Sequence, residues 1–188
     1  CALPICLIKK NDMVARMLFN KAYILFYEGN YIESEIIVSD ALKLIEKHSD
    51  NKLLFTSYNL IASNFQKMEE YDNSLKYYLF AKKVLNDVDK DNNFKLMLSV
   101  NIASIYEKQR QFLKAETELT SVLTKDLKEK WPKDYATVIG NLGYVKTKLG
   151  HFKEGEALMK EALALSRKSG IESNIVYKLH NLGKYYFD

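Results

Sequence analysis

The feature that most constrains this chain is a set of small residues returning every 40 or 41 positions. Tyr31, Tyr71, Phe112 and Phe152 mark the period, at spacings of 40, 41 and 40. Nine residues before each aromatic stands Ala22, Ala62, Ala103 or Gly143, and Gly183 continues that series. Three residues after each comes Ser34, Ser74, Ala115 or Gly155, and seven further on Ala41, Ala81, Val122 or Ala162. Of these 13 positions only Val122 is not Gly, Ala or Ser. Self-similarity at such a period is the signature of a stacked array, because each unit leaves one apolar face for its neighbour to cover.

Small side chains at three points per unit allow two antiparallel helices, and then the next pair, to approach closely. Between them apolar residues recur at helical spacing. Tyr58, Ile61, Ala62 and Phe65 form one stripe, and Leu75, Tyr78, Leu79 and Leu85 its partner; Ile102, Ala103 and Tyr106 answer to Leu119, Val122 and Leu123. An ordinary bundle also shows stripes but has no reason to repeat them. Two prolines and seven glycines leave little material for β-turns. Helices are expected over about 12–28, 31–47, 52–68, 71–86, 93–109, 112–126, 133–148, 152–168 and 173–187. Asp50, Asp91 and Asp134 are candidate N-caps, and Pro132 suits a first helical position. The organisation expected is a leader or linker over 1–11, then an array over 12–188. Its units span about 12–50, 51–91, 92–131 and 132–171, with a partial one at 172–188. The apolar end Tyr185-Tyr186-Phe187 suggests continuation rather than a polar capping helix.

These residues resemble the tetratricopeptide repeat family, most fully in Asn141-Leu142-Gly143-Tyr144 through Leu149-Gly150-His151-Phe152 to Gly155 and Ala162. The resemblance covers nearly the whole chain after residue 12. It implies an all-α fold, a right-handed α-solenoid of about four and a half antiparallel helix hairpins. The period exceeds the family's common 34 residues, and the family's proline after the second helix is replaced by Glu46, Asn86, Leu127 and Arg167. Longer, proline-free units are similar to those of bacterial peptide-sensing regulators, kinesin light chain and the sensor regions of bacterial kinases and transcription factors.

In this family the first helix of each hairpin lines a concave groove, so the resemblance also points to candidate binding residues. Asn101, Asn141 and Asn181 stand two before the small landmark, where an amide can bond the backbone of an extended peptide or a neighbouring helix. Lys67, Lys108 and Lys148 lie five after it. Such a ladder would attract an acidic peptide or a free C-terminus, although a cation at a helix C-terminus is also favoured without a ligand. Ser63, Ser104, Tyr144 and Lys184 would sit one turn deeper than the asparagines, and His180 and Gly140 share another groove position. The carboxylate clamp of chaperone-binding relatives is not reproduced, since Asn59, Val100 and Gly140 occupy its first lysine position.

The same residues argue against other chemistry. His48, His151 and His180 are scattered, with no pair at metal-ligand spacing. Gly150 to Gly155 is followed by Glu156 and Ala157 instead of the Lys and Ser/Thr of a phosphate loop. Asp87, Asp89 and Asp91 begin like a calcium loop, but Asn92 and Leu98 fill the positions that need Gly and Glu. No cofactor, metal or catalytic residue is therefore expected. The net charge of +4 is lysine-based, with arginine only at 16, 110 and 167, which disfavours nucleic-acid recognition. No apolar run is long enough to cross a bilayer. Cys1 and Cys6 cannot staple the body of the fold. A cytoplasmic setting is the default, while Cys1 as a processed N-terminus would mark an extracytoplasmic lipoprotein. The expected role is a peptide- or protein-binding module, the sensing or scaffolding segment of a larger bacterial regulatory protein. The alternatives are a homodimerisation module and, more remotely, an RNA-binding repeat.

Overall fold

The computed structural model describes residues 3–45, 51–85, 93–124, 126–169 and 183, with side chains from residue 11 onward. Among the described residues it is helical throughout: α1 (Leu3–Tyr27), α2 (Tyr31–Leu44), α3 (Asn51–Lys67), α4 (Tyr71–Val84), α5 (Asn93–Lys108), α6 (Phe112–Thr120), α7 (Leu127–Lys130), α8 (Pro132–Lys148) and α9 (Phe152–Ser169). The chain divides into two compact units, Cys1–Leu98 and Ser99–Asp188, a boundary that falls inside α5 rather than between repeats.

The repeat spacing has a direct local cause. Each first helix ends in the same turn, with Gly29, Glu69, Arg110 and Gly150 at φ of 86°, 63°, 58° and 86°. The next N–H then reaches back five residues: Asn30 to Leu25, Glu70 to Phe65, Gln111 to Tyr106 and His151 to Lys146, at 2.7–2.9 Å. This left-handed cap satisfies carbonyls that the helix end would otherwise leave open. Nothing crowds a Cβ at Gly29 or Gly150, so glycine serves there for its backbone freedom alone. Glu69 and Arg110 adopt the same conformation at a cost of about 1 kcal/mol each.

In the first unit the small residues meet across the hairpins. Ser34 Oγ donates to the Ala22 carbonyl at 2.7 Å, and Ser74 Oγ to the Ala62 carbonyl at 2.8 Å. Ala41 packs with Ala15 of α1 and Leu53 of α3, so the third small position admits the next hairpin. Val38, Leu60 and Ile61 close round Ala22, and Phe55 lies 5.0 Å from Phe94, ring to ring. Each such fully buried large side chain contributes about 1.5–3 kcal/mol.

In the second unit Ser99 Oγ donates to Glu118 at 2.9 Å, joining α5 to α6. Lys146 bridges Glu116 of α6 at 2.6 Å and Glu154 of α9 at 3.2 Å; the Glu116 hydrogen bond comes first in raising its pKa. Gly143 and Gly155 are both buried, and α8 and α9 approach closely there. A Cβ on either would lie 2.7 or 2.5 Å from the other's carbonyl oxygen.

Four expectations need correcting. Residues 3–11, expected as a leader or linker, continue α1 without a break, since Pro4 sits in the first turn, where it is tolerated. The helix expected to reach 126 stops at Thr120, and a separate short α7 follows. Thr117 and Ser121 turn their hydroxyls onto the Leu113 and Glu118 carbonyls, a local competition that weakens the helix. Asp134 lies within the first turn of α8, because Trp131 before Pro132 is pushed out of the helical region (φ −137°, ψ 61°) and takes the cap position. Tyr144 is the fourth and belongs with the site below. Asp50, Asp91 and the helix expected at 173–187, apart from helical Gly183, lie outside the described residues.

Candidate binding face of the first helices

The register that joins the small residues also sorts the other faces of α1, α3, α5 and α8. Asn101 and Lys108 are seven residues apart on α5, two helical turns, and so share a face; Asn141 and Lys148 do the same on α8. Lys67, Lys108 and Lys148 are each the last residue of their helix, immediately before the left-handed turn, and all three are exposed. Asn101 and Asn141 are half-buried, and the Asn141 Oδ1 is enclosed with no hydrogen-bond partner. The Lys148 ammonium lies 5.3 Å from the Tyr144 ring centroid. Lys146 differs in kind: 17% exposed, it is engaged by its two glutamates.

The position one after the landmark behaves differently from the reading that placed it in the groove. Tyr144 is only 7% exposed and packs on Met159 and Leu163 of α9, so it is a hairpin-core residue. The reason is visible at the equivalent Ser63, whose Oγ is 3.2 Å from the Tyr78 hydroxyl on α4: this position faces the second helix. The double glycine of the fourth hairpin draws its larger side chain fully into that seam. Ser104 is half-buried on α5. Asn181 and His180 lie outside the described residues.

Two residues of the same register escaped the sequence reading. Asn20 stands two before Ala22 and is exposed, and Tyr27 occupies the place of the lysines, 70% exposed. Extending the register one hairpin toward the N-terminus would have found both. Tyr23, at the register position of Ser63, is 47% exposed on α1, and its hydroxyl lies 3.1 Å from that of Tyr27. Among the described residues no cluster of His, Cys, Asp and Glu could hold a metal ion, and no helix is long and apolar enough to cross a membrane.

Hairpins of fixed register, capped alike and joined through small residues, define a helical-repeat fold. Residues 136–169, which span most of α8 and all of α9, match the tetratricopeptide repeat model. The fourth hairpin therefore matches a tetratricopeptide repeat, and the chain has a tetratricopeptide-like helical-repeat fold. By sequence, no curated protein matches it. By structure it is similar to BtubC from P. vanneervenii (19% identity, 95% of this chain and 81% of that one, TM-score 0.70). It is also similar to the apo form of RapI (18%, 95% and 49%, TM-score 0.79). A third similar structure is aspartyl phosphate phosphatase F from Bacillus subtilis (17%, 95% and 45%, TM-score 0.79). The chain spans about half the length of the latter two.

Proposed function

We propose that this chain binds an acidic peptide, or a protein segment with a free C-terminus, on the first-helix face of α5 and α8 in the second unit, and that it serves as the sensing or scaffolding segment of a larger bacterial regulatory protein. One observation carries the reading: α3, α5 and α8 each end in an exposed lysine, and on α5 and α8 that lysine shares its face with an asparagine. A cation repeated once per hairpin supplies salt-dependent attraction, and the half-buried Asn101 amide can donate to and accept from a peptide backbone of any sequence. No bond-making chemistry is assigned to the chain. Its likeness to a B. subtilis aspartyl phosphate phosphatase supports a regulatory setting.

Isothermal titration with an acidic peptide, carrying either a free or an amidated C-terminus, tests the proposal. Binding should weaken about tenfold or more on Lys108→Glu with Asn141→Ala, and should fall with added salt. Binding unchanged by both the substitutions and salt would remove this face from consideration.

A further inference from the structure

We propose that the cleft beside the α1–α2 turn is a second docking site, whose occupant is a basic segment of another protein carrying one large apolar side chain. The cleft lies within the first unit and measures about 460 Å³. Ile32 and Ile36, one helical turn apart on α2, are 69% and 52% exposed. They line it together with Tyr31 and Glu33 of α2 and with Met68, just past the end of α3. Two successive hairpins thus supply apolar walls, with room between them for an anchoring side chain.

The repeat provides its own control. One, two and three periods on, the places of Ile32 and Ile36 are held by Asp72 and Lys76, by Leu113 and Thr117, and by Lys153 and Ala157. Hairpin formation therefore asks for no apolar pair there. The two isoleucines are a feature of the first hairpin alone and not a consequence of the fold.

Charge names the occupant. Residues 28–36 and 68–73, which include every residue lining the cleft, hold Glu28, Glu33, Glu35, Glu69, Glu70 and Asp72 but no lysine or arginine, in a chain of net charge +4. All of these acids except Glu35 are exposed. The helix dipole explains Glu33 and Asp72, each in a first turn, where an anion is favoured. It opposes Glu28 and Glu69, which follow the C-terminal ends of α1 and α3. Glu69 also holds a φ of 63°, at the register position where Gly29 and Gly150 stand without strain and Arg110 brings the opposite charge. Both carboxylates are thus kept where the helix ends disfavour them, beside the cleft in sequence. The adjoining cations are Lys67, next to Met68, and Lys21, which reaches Glu33 only at 3.9 Å with both side chains more than half exposed. Such a pair contributes little and can be displaced by a partner's cation. A basic segment with an apolar anchor answers both features, covering the isoleucines and Met68 while its charges meet the carboxylates. The acidic peptide assigned to α5 and α8 in the second unit is repelled here.

NMR of the whole chain, with isoleucine and methionine methyls labelled, tests the site. The probes are short capped peptides with a central leucine, phenylalanine or tryptophan flanked by lysine and arginine. Matched peptides carry a central alanine, or acidic flanks. The basic, apolar-centred peptides should shift the Ile32, Ile36 and Met68 methyls saturably below about 1 mM, and the matched peptides should not. Ile32→Ser with Ile36→Ser should weaken binding about tenfold or more, with circular dichroism unchanged because both sites are more than half exposed. Glu28→Gln with Glu69→Gln should weaken it severalfold and flatten its salt dependence, whereas Lys108→Glu with Asn141→Ala should leave it unchanged. The proposal is overturned if no basic peptide moves those methyls by about 1 mM, if acidic flanks or a central alanine bind equally well, or if neither pair of cleft substitutions weakens binding. Methyl shifts that grow with protein concentration alone would make a second copy the occupant and overturn it as well.

Discussion

The close approach of α8 and α9 at Gly143 and Gly155 yields the sharpest test. Gly143→Ala adds a methyl 2.7 Å from the Gly155 carbonyl oxygen, 2.8 Å from Met159 Cγ and 3.0 Å from the Met159 nitrogen. Two of those three neighbours are backbone, so α8 and α9 must separate by roughly 0.7 Å to reach ordinary van der Waals distance. Overpacking of this kind costs about 1–3 kcal/mol, or more where the backbone must move. Against it stands the gain of alanine over glycine within a helix, about 1 kcal/mol. The net loss should be up to about 2 kcal/mol, or more where the backbone must move, and about 2 kcal/mol in a chain of this size lowers Tm by about 4–8 °C. Gly155→Ala should cost at least as much, because its methyl would lie 2.5 Å from the Gly143 oxygen and 2.6 Å from the branched Thr147 side chain. Gly183 supplies the opposite sign: it holds the same register position on a helix, but nothing lies within 4 Å of its added Cβ. Gly183→Ala should therefore be neutral or stabilising by up to about 1 kcal/mol. Thermal melts followed by circular dichroism would measure all three. If Gly143→Ala raised Tm as Gly183→Ala does, the small-residue seam would not be what joins the hairpins.

Two further predictions concern the first unit. Ser74→Ala removes one hydrogen bond to the Ala62 carbonyl and should cost about 1 kcal/mol, whereas Ser34→Ala also strands the Asn64 amide and should cost about 2–3 kcal/mol by urea denaturation. Equal losses would mean that the Asn64 contact contributes nothing. Tyr78 is buried, and burial pushes its pKa up to about 12, partly opposed by the Ser63 hydroxyl. The folded state therefore holds that proton more tightly than the unfolded chain. Its contribution is fully present below pH 10 and is lost as pH rises toward 12, by about 2–3 kcal/mol in all. Denaturation of wild type and Tyr78→Phe across that window should show a steeper decline for wild type; parallel curves would sink the assignment.

The hairpin fold could be read in the chain because its cause is periodic. Ala22, Ala62, Ala103 and Gly143 return at a fixed interval, and all are buried in the structure. The turns were equally legible at Gly29 and Gly150. They were legible also at Glu69 and Arg110, although residues that ordinarily avoid positive φ stand there, because the register of their neighbours imposes the turn. The positions of Lys67, Lys108 and Lys148 at helix ends also followed from sequence, since they depend only on register. Tyr144 did not. Whether a side chain one residue past the landmark faces solvent or the second helix depends on how near that helix lies, and two glycines twelve residues apart set that distance. The early end of α6 likewise depended on hydroxyl bonds that alter no apolar stripe. Periodicity along the chain determined which helices pair and where they turn, because it is a property of the residues in order. The separation between helices, and so which face of α2 or α8 remains open to a partner, was decided only in three dimensions, where the size of a side chain is measured against what stands opposite it.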